Sequence, residues 1–132
     1  MMESATDIVK QCYADFGQGN IAGVMARLSE QVICTDPGYP DIPYAGKRNG
    51  KQEVGEFFGE MNSHIEFTRF EPKAFHEDDG TVFVTGYFAG KSRKTGRFFE
   101  SEWAMVWKVE NNKVNFYQAY VDTRNIVKAL EP

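Results

Sequence analysis

The chain has 132 residues, of which 42% are hydrophobic and 14% aromatic, and its formal net charge is −4. The length predicts one domain spanning residues 1–132. The negative charge disfavours nucleic acid as a partner, because a phosphate backbone is bound by a positive surface. No run reaches 18 apolar residues and no signal-peptide pattern is visible, so we predict a soluble, cytoplasmic protein with no membrane partner.

The first half of the chain predicts three helices and one short strand. Ser4 begins a capping-box pattern, after which apolar residues recur at helical spacing through residues 5–16. A second helix is predicted over residues 20–28, followed by a β-branched strand over residues 31–35. Gly50 then begins a third helix, whose apolar residues again lie three and four apart.

The second half predicts a sheet and a terminal helix. Four long strands are expected at residues 64–76, 81–90, 98–109 and 114–121. Pro72 indicates that the first of them is an edge strand or contains a bulge, and Asp122 can cap the last helix. Strands joined by short turns pair antiparallel. The sequence therefore predicts an α+β cone, in which the N-terminal helices pack on the concave face of a curved antiparallel sheet.

The residues also carry a resemblance to a known family. The matching segments are PYAGKRNGKQEVGEFF at residues 43–58, TGRFFESEWAMVWKVENNKV at residues 95–114 and YVDT at residues 120–123. They resemble the nuclear transport factor 2-like superfamily, in particular its SnoaL-like polyketide cyclase and ketosteroid isomerase branches. The resemblance implies a cystatin-like cone and a homodimer. It leaves the activity open, because the superfamily includes isomerases, cyclases, dehydratases and non-catalytic binders.

The stretch CTDPGYPDIPYAG contains the main catalytic candidate. In ketosteroid isomerase, which the chain resembles here, an Asp followed by Pro is the catalytic base, and Asp36 occupies the matching place. A carboxylate at the mouth of an apolar cavity loses hydration, which raises its pKa toward the range of a useful base. The alternative is structural, since Asp before Pro often forms a turn by bonding the backbone ahead of it.

The resemblance also implies partners that this chain lacks. The two oxyanion donors of the isomerase fall on Cys12 and Met105, and the late acidic residue of the cyclases falls on Ala119. Tyr13, beside Cys12, and Tyr117, on the last strand, are the remaining hydroxyl donors. An enzyme and a non-catalytic ligand-binding or protein-interaction module therefore both stay open.

Sequence alone leaves the register of the last hairpin undecided. If the turn at residues 110–112 takes three residues, Tyr117 shares the inner face of Trp107; if it takes two or four, Phe116 does. The resemblance favours the first. That register leaves several apolar side chains on the outer sheet face, which predicts a face-to-face homodimer. The outer residues are Ala104, Val106, Phe116, Gln118 and Tyr120.

These features predict a pocket for a hydrophobic small molecule. Its expected lining is Tyr13, Cys12, Phe16, Tyr39, Phe57, Phe58, Trp103, Met105, Trp107 and Ala119. If the protein is an enzyme, Asp36 is the general acid/base and Tyr117 or Tyr13 orients the substrate oxygen. The reaction would be isomerisation, cyclisation or dehydration of an enolisable carbonyl or polycyclic compound. We expect no metal and no organic cofactor, because His64 and His76 have no evident partner ligands.

Overall fold

A computed structural model describes residues 3–132 and gives a mixed α+β fold. In chain order the elements are α1 (Ala5–Gly17), α2 (Ile21–Ala26), β1 (Leu28–Asp36), β2 (Gly46–Asn49), α3 (Gly50–His64), β3 (Ile65–Asp78), β4 (Thr81–Ser92), β5 (Phe98–Glu110), β6 (Lys113–Val121) and α4 (Thr123–Leu130). The strands form a curved six-stranded sheet in the order β2-β1-β6-β5-β4-β3. The predicted α+β class and cystatin-like cone are thereby confirmed. The one parallel pair in this sheet, β1 with β6, was not predicted.

The N-terminal helices follow the sequence pattern closely. The capping box of α1 is present: the Asp7 amide donates to Ser4 Oγ at 3.1 Å, and the Ser4 amide donates to the Asp7 carboxylate at 3.4 Å. The predicted end of α2 is wrong by two residues. The helix ends at Ala26, and Leu28 instead begins β1, where it pairs with Val114 of β6.

Strand β2 was not predicted. Its sequence, Gly46–Asn49, is short and has no alternation of apolar and polar residues. It pairs antiparallel with β1, placing Asp36 opposite Gly46 and Ile33 opposite Asn49. The proline-rich stretch between the two strands is therefore a closed loop, and Asp36 lies at its base.

Strand β3 lies at the edge of the sheet, as Pro72 indicated. Its pairing with β4 shifts between Pro72 and Ala74, so the proline lies at a bulge as well as at an edge. Both features tolerate a residue without an amide hydrogen. The sequence-based interpretation of Pro72 is confirmed.

The last hairpin reaches the favoured register by an unexpected route. The turn contains two residues, Asn111 and Asn112, both with positive φ, as in a type I′ hairpin. A three-residue turn is therefore wrong. A bulge at Asn115 adds one residue to β6, and this places Tyr117 opposite Trp107 on the inner face. The outer face then carries the set of residues expected for that register.

The helices pack on the concave face of the sheet. Helix α1 contacts β3, β4 and β5, whereas α3 contacts mainly β1 and β2. Within residues 3–132 no helix is long and apolar enough to cross a membrane. Both cysteines, Cys12 and Cys34, are free and buried.

Candidate active site

A cavity of about 70 Å³ lies between α1, α3 and the concave face of the sheet. Its walls are almost wholly apolar. The site residues predicted from sequence that line it are Cys12, Tyr13, Phe16, Asp36, Phe57, Phe58, Met105, Trp107 and Tyr117. They come from α1, β1, α3, β5 and β6, so the fold brings together side chains that are far apart in sequence.

Three residues predicted for the lining lie elsewhere. Tyr39 is 68% exposed and lies on the outside of the proline-rich loop, where its ring contacts Gly46. Trp103 is buried against Gly86 and stacks on Tyr13, with ring centroids 5.6 Å apart, so it packs behind the lining. Ala119 is buried opposite Met105 and is not part of the cavity wall.

Asp36 is the one acidic residue of the cavity wall. It is the last residue of β1, and its carboxylate accepts no hydrogen bond from any residue that the structure describes. The loop after it is closed by backbone bonds instead, from Ile42 to Gly38 and from Ala45 to Ile42. Its carboxylate therefore has no turn-forming role here. Burial in apolar surroundings raises the pKa of Asp36 to about 7.

Tyr13 is held by hydrogen bonds to protein groups. Its hydroxyl accepts from Trp107 Nε1 at 2.9 Å and donates to Met105 Sδ at 3.1 Å. The side chain also packs between aromatic rings and is buried. Both the donor and one acceptor position of this hydroxyl are thus used within the protein.

Tyr117 projects into the cavity from β6. It lies opposite Cys34 of β1, two residues before Asp36. Its hydroxyl contacts only Met105 Sδ, at the long distance of 3.5 Å. Burial, followed by the negative charge of Asp36, raises the pKa of Tyr117 well above its ordinary value. Its hydroxyl therefore stays protonated at neutral pH and can donate.

Sequence reasoning missed Tyr44. This side chain is only 2% exposed and lines the cavity from the end of the proline-rich loop. Burial, and next the charge of Asp36, raises the pKa of its hydroxyl. The available signal was the pair Ile42 and Tyr44, two large apolar side chains in a loop otherwise made of turn-formers. Both are buried.

Arg48 fixes the position of Tyr44. Its guanidinium donates to the Tyr44 carbonyl at 2.9 Å and to the Glu60 carboxylate of α3 at 2.9 Å. The ion pair is partly buried on the arginine side. The loop that carries Tyr44 is therefore tied to a helix rather than left to move freely.

The cavity thiols are not reactive in this setting. Burial raises the pKa of Cys12 to about 12, and burial likewise raises the pKa of Cys34. Both thiols stay protonated at neutral pH. Across residues 3–132 no group of three His, Cys, Asp or Glu side chains is placed to bind a metal ion.

A surface groove of about 700 Å³ lies beside the cavity, between the end of α1, α3 and the start of β3. The groove and the cavity share five apolar side chains, Phe16, Phe58, Met61, Phe67 and Phe70. These side chains separate the two spaces. A molecule larger than the present cavity would have to displace some of them.

The fold matches that of solved NTF2-like proteins. One from Burkholderia thailandensis is 27% identical with a TM-score of 0.90, and the match covers 99% of this chain and 100% of that one. A model of the SnoaL-like domain matches residues 9–117, so the chain belongs to this family within the NTF2-like superfamily. No curated protein matches the chain significantly.

Two further structures share the fold at lower identity. TerC, co-crystallised with polyporic acid, is 20% identical with a TM-score of 0.87, and the match covers 97% of this chain and 98% of that chain. A protein of unknown function with a cystatin-like fold from Xanthomonas campestris is 18% identical with a TM-score of 0.84. The match covers 98% of this chain and 100% of that chain. At these identities the likeness establishes the fold alone.

Proposed function

We propose that this protein binds a hydrophobic small molecule with an enolisable carbonyl group and moves a proton at the carbon beside that carbonyl. The observation that supports the proposal most directly is Asp36: an acidic side chain in an apolar cavity, with no hydrogen bond from the described residues and a pKa of about 7. A base whose pKa lies near the working pH is the most effective one for this chemistry.

In the proposed reaction, the Asp36 carboxylate takes a proton from the carbon beside the carbonyl. The C–H electron pair moves into a new carbon–carbon double bond, and the carbonyl electrons move onto oxygen to give an enolate. Protonated Asp36 then returns the proton to a different carbon, which completes an isomerisation and restores the carboxylate. Cyclisation or dehydration begins with the same first step. Tyr117 is the sequence-predicted hydroxyl best placed to bind the substrate oxygen, because the Tyr13 hydroxyl already bonds Trp107 and Met105.

The volume of the cavity limits the size of the substrate. Binding sites for small molecules usually measure about 300–1,000 Å³, whereas this cavity measures about 70 Å³. We therefore propose a substrate whose reactive end is a single small ring or short chain. A polycyclic compound would bind only if the side chains shared with the neighbouring groove moved aside. TerC, which shares the fold, was co-crystallised with polyporic acid, and this is in keeping with an organic ligand for the cone proposed here.

Deuterium exchange tests this function. Small cyclic β,γ-unsaturated ketones and cyclic 1,3-diketones are incubated with the protein in D₂O, and deuterium uptake is followed by NMR. We expect the protein to accelerate uptake, with a rate that rises through pH 7 as Asp36 ionises. Asp36→Asn should reduce the rate at least about 100-fold, since a positioned base typically contributes that much or more.

Asp41→Asn is the matched control, because Asp41 is an exposed carboxylate on the same loop. The Asp41→Asn protein should accelerate deuterium uptake by the substrate as much as the unmodified protein does. Equal rates for Asp36→Asn and the unmodified protein throughout the panel would contradict a catalytic role.

A non-catalytic ligand-binding protein is the second candidate function. It is favoured by Met105 and Ala119, which stand where the resembling enzymes have groups that donate or transfer protons. Saturable binding of a panel compound, without any acceleration of its exchange, would support this second function and exclude the first.

We also propose a homodimer formed through the outer sheet face. Phe83 and Tyr120 are 46% and 52% exposed there, and the half-buried Val106 lies between them on β5. Exposed aromatic side chains on an outer sheet face are typical of an interface.

We propose a cytoplasmic location as well, which the two free buried thiols support.

Light scattering after size exclusion at micromolar concentration should give twice the chain mass of 15.0 kDa. Val106→Glu places a charge at the centre of this face and should give the monomer mass. Lys94→Glu, in the exposed β4–β5 turn, should leave the dimer intact. A monomer for the unmodified chain would refute the proposed interface.

A further inference from the structure

Two tyrosines of the cavity wall have hydroxyls with no strong partner within the described part of the chain. The Tyr44 hydroxyl makes no hydrogen bond to residues 3–132, although the side chain is 2% exposed. The Tyr117 hydroxyl has only the long contact to Met105 Sδ, at 3.5 Å. Sulfur is a weak acceptor. Both hydroxyls are therefore free to donate to a ligand in the cavity.

We propose that Tyr44 and Tyr117 together bind the carbonyl oxygen of the substrate, at the Asp36 end of the cavity. They would thereby supply the two hydrogen-bond donors that Cys12 and Met105 do not provide. The inference rests on the proposed function, and it assigns a direct binding role to a residue that the sequence did not single out.

The strand pairing brings these groups together. Tyr117 lies opposite Cys34 on β1, and Asp36 is two residues further along the same strand, on the same face. Asp36 in turn pairs with Gly46 of β2, two residues after Tyr44. Tyr44 and Tyr117 therefore approach the end of β1 from its two neighbouring sides, the loop before β2 and strand β6. All three side chains line the one cavity.

The position of Tyr44 is rigid enough for this role. Arg48 donates to the Tyr44 carbonyl at 2.9 Å and binds Glu60 of α3. The Tyr44 ring also lies 6.3 Å from that of Phe57, centroid to centroid. Donors that are held in place before the reaction stabilise developing charge without a reorganisation cost.

The chemistry is consistent with two neutral donors. As the proton passes from carbon to the Asp36 carboxylate, negative charge develops on the substrate oxygen. Burial raises the pKa of both hydroxyls above that of an ordinary tyrosine, so each keeps its proton and donates it in a hydrogen bond. Tyr13 is not needed for this, since its hydroxyl already bonds Trp107 and Met105.

An equilibrium binding experiment separates this inference from catalysis. The probe is 4-nitrophenol, whose phenolate resembles an enolate oxygen on a ring and absorbs at a longer wavelength than the phenol. The Asp36→Asn protein is used, because it lacks the carboxylate whose negative charge would repel the phenolate. We expect this protein to bind the probe as the phenolate. Introducing Tyr44→Phe or Tyr117→Phe into it should weaken binding about 10-fold or more and shift the bound probe toward the phenol form.

Tyr39→Phe is the control, since this exposed tyrosine of the same loop should leave both affinity and absorbance unchanged. Unchanged phenolate binding in Tyr44→Phe or in Tyr117→Phe overturns the proposal, as does failure of the Asp36→Asn protein to bind the phenolate at millimolar concentration. If Tyr44→Phe does not fold, Tyr117→Phe alone decides, because the proposal requires both hydroxyls.

The two proposals fail independently. Tyrosine-dependent phenolate binding with no Asp36-dependent exchange would leave the oxygen site standing and remove the base. Asp36-dependent exchange with phenolate binding that does not depend on the tyrosines would leave Asp36 as the base and remove the oxygen site.

Discussion

Replacing Asp36 with asparagine is expected to stabilise the folded protein at pH 8 by between about 2 and 4 kcal/mol. The pKa of Asp36 rises from 3.8 to about 7 on folding, because burial disfavours the charged form. Each pKa unit corresponds to about 1.36 kcal/mol, so the full shift corresponds to about 4 kcal/mol. The lower bound allows for the part of Asp36 that remains in contact with solvent.

The sign follows from the raised pKa. Well below pH 3.8 the side chain is neutral in both the folded and the unfolded chain, and ionisation does not affect the stability. As the pH rises from about 4 to about 7, the unfolded chain gains the charge first, and the free energy of unfolding falls. Well above pH 7 the decrease in the free energy of unfolding is complete and stays constant. Asparagine has a similar shape and no charge, so the Asp36→Asn protein does not undergo this decrease in stability.

Urea unfolding at pH 4 and pH 8 measures the effect. The two proteins should have nearly equal stability at pH 4 and should separate as the pH rises toward 8. Asp41→Asn controls for the loss of a surface carboxylate and should follow the unmodified protein at both pH values. A less stable Asp36→Asn protein at pH 8 would show that the carboxylate supports the loop, contrary to the geometry described above.

The second large effect is expected at Gly86, in the middle of β4. A Cβ atom added at this position would meet the Trp103 ring and the backbone carbonyl of Glu71, both closer than atoms normally approach. The carbonyl belongs to the neighbouring strand and cannot move without disturbing the sheet. We expect Gly86→Ala to lower the free energy of unfolding by about 3 kcal/mol.

Gly59→Ala is the matched control, because it adds the same methyl group to an exposed site of α3 with no atom within 4 Å. Alanine is the better helix former, so this variant should gain about 0.5–1 kcal/mol. Urea unfolding followed by tryptophan fluorescence measures both variants. Equal stability of Gly86→Ala and the unmodified protein would mean that Trp103 has room to move aside.

Most of the fold could be predicted because its elements have strong local signals. The capping box of α1, the helical spacing in α3 and the alternation in β5 each indicate the correct element. Pro72 indicated an edge strand or a bulge, and β3 has both. Strand β2 could not be predicted, since four residues without apolar alternation form a strand only because β1 offers a partner.

The site was only partly predictable, for a physical reason. Whether a side chain lines a cavity depends on what packs beside it, and periodicity reports only its face. Trp103 lies on the predicted inner face, yet Tyr13 stacks over it and keeps it from the cavity. Tyr44 lies in a loop, where no periodicity exists, and its backbone is held by a hydrogen bond from Arg48 that the sequence does not reveal.

The extra residue at Asn115 gives the hairpin an influence on chemistry that its surface location conceals. If the bulge were lost and Asn115 paired with Lys108 instead, every later residue of β6 would change face. The Tyr117 hydroxyl would then leave the cavity, and Phe116, Gln118 and Tyr120 would turn inward. One altered strand pairing would thus replace an entire set of interior groups at once. Relatives that differ in reaction can therefore diverge through the pairing at this hairpin, with the scaffold left as it is.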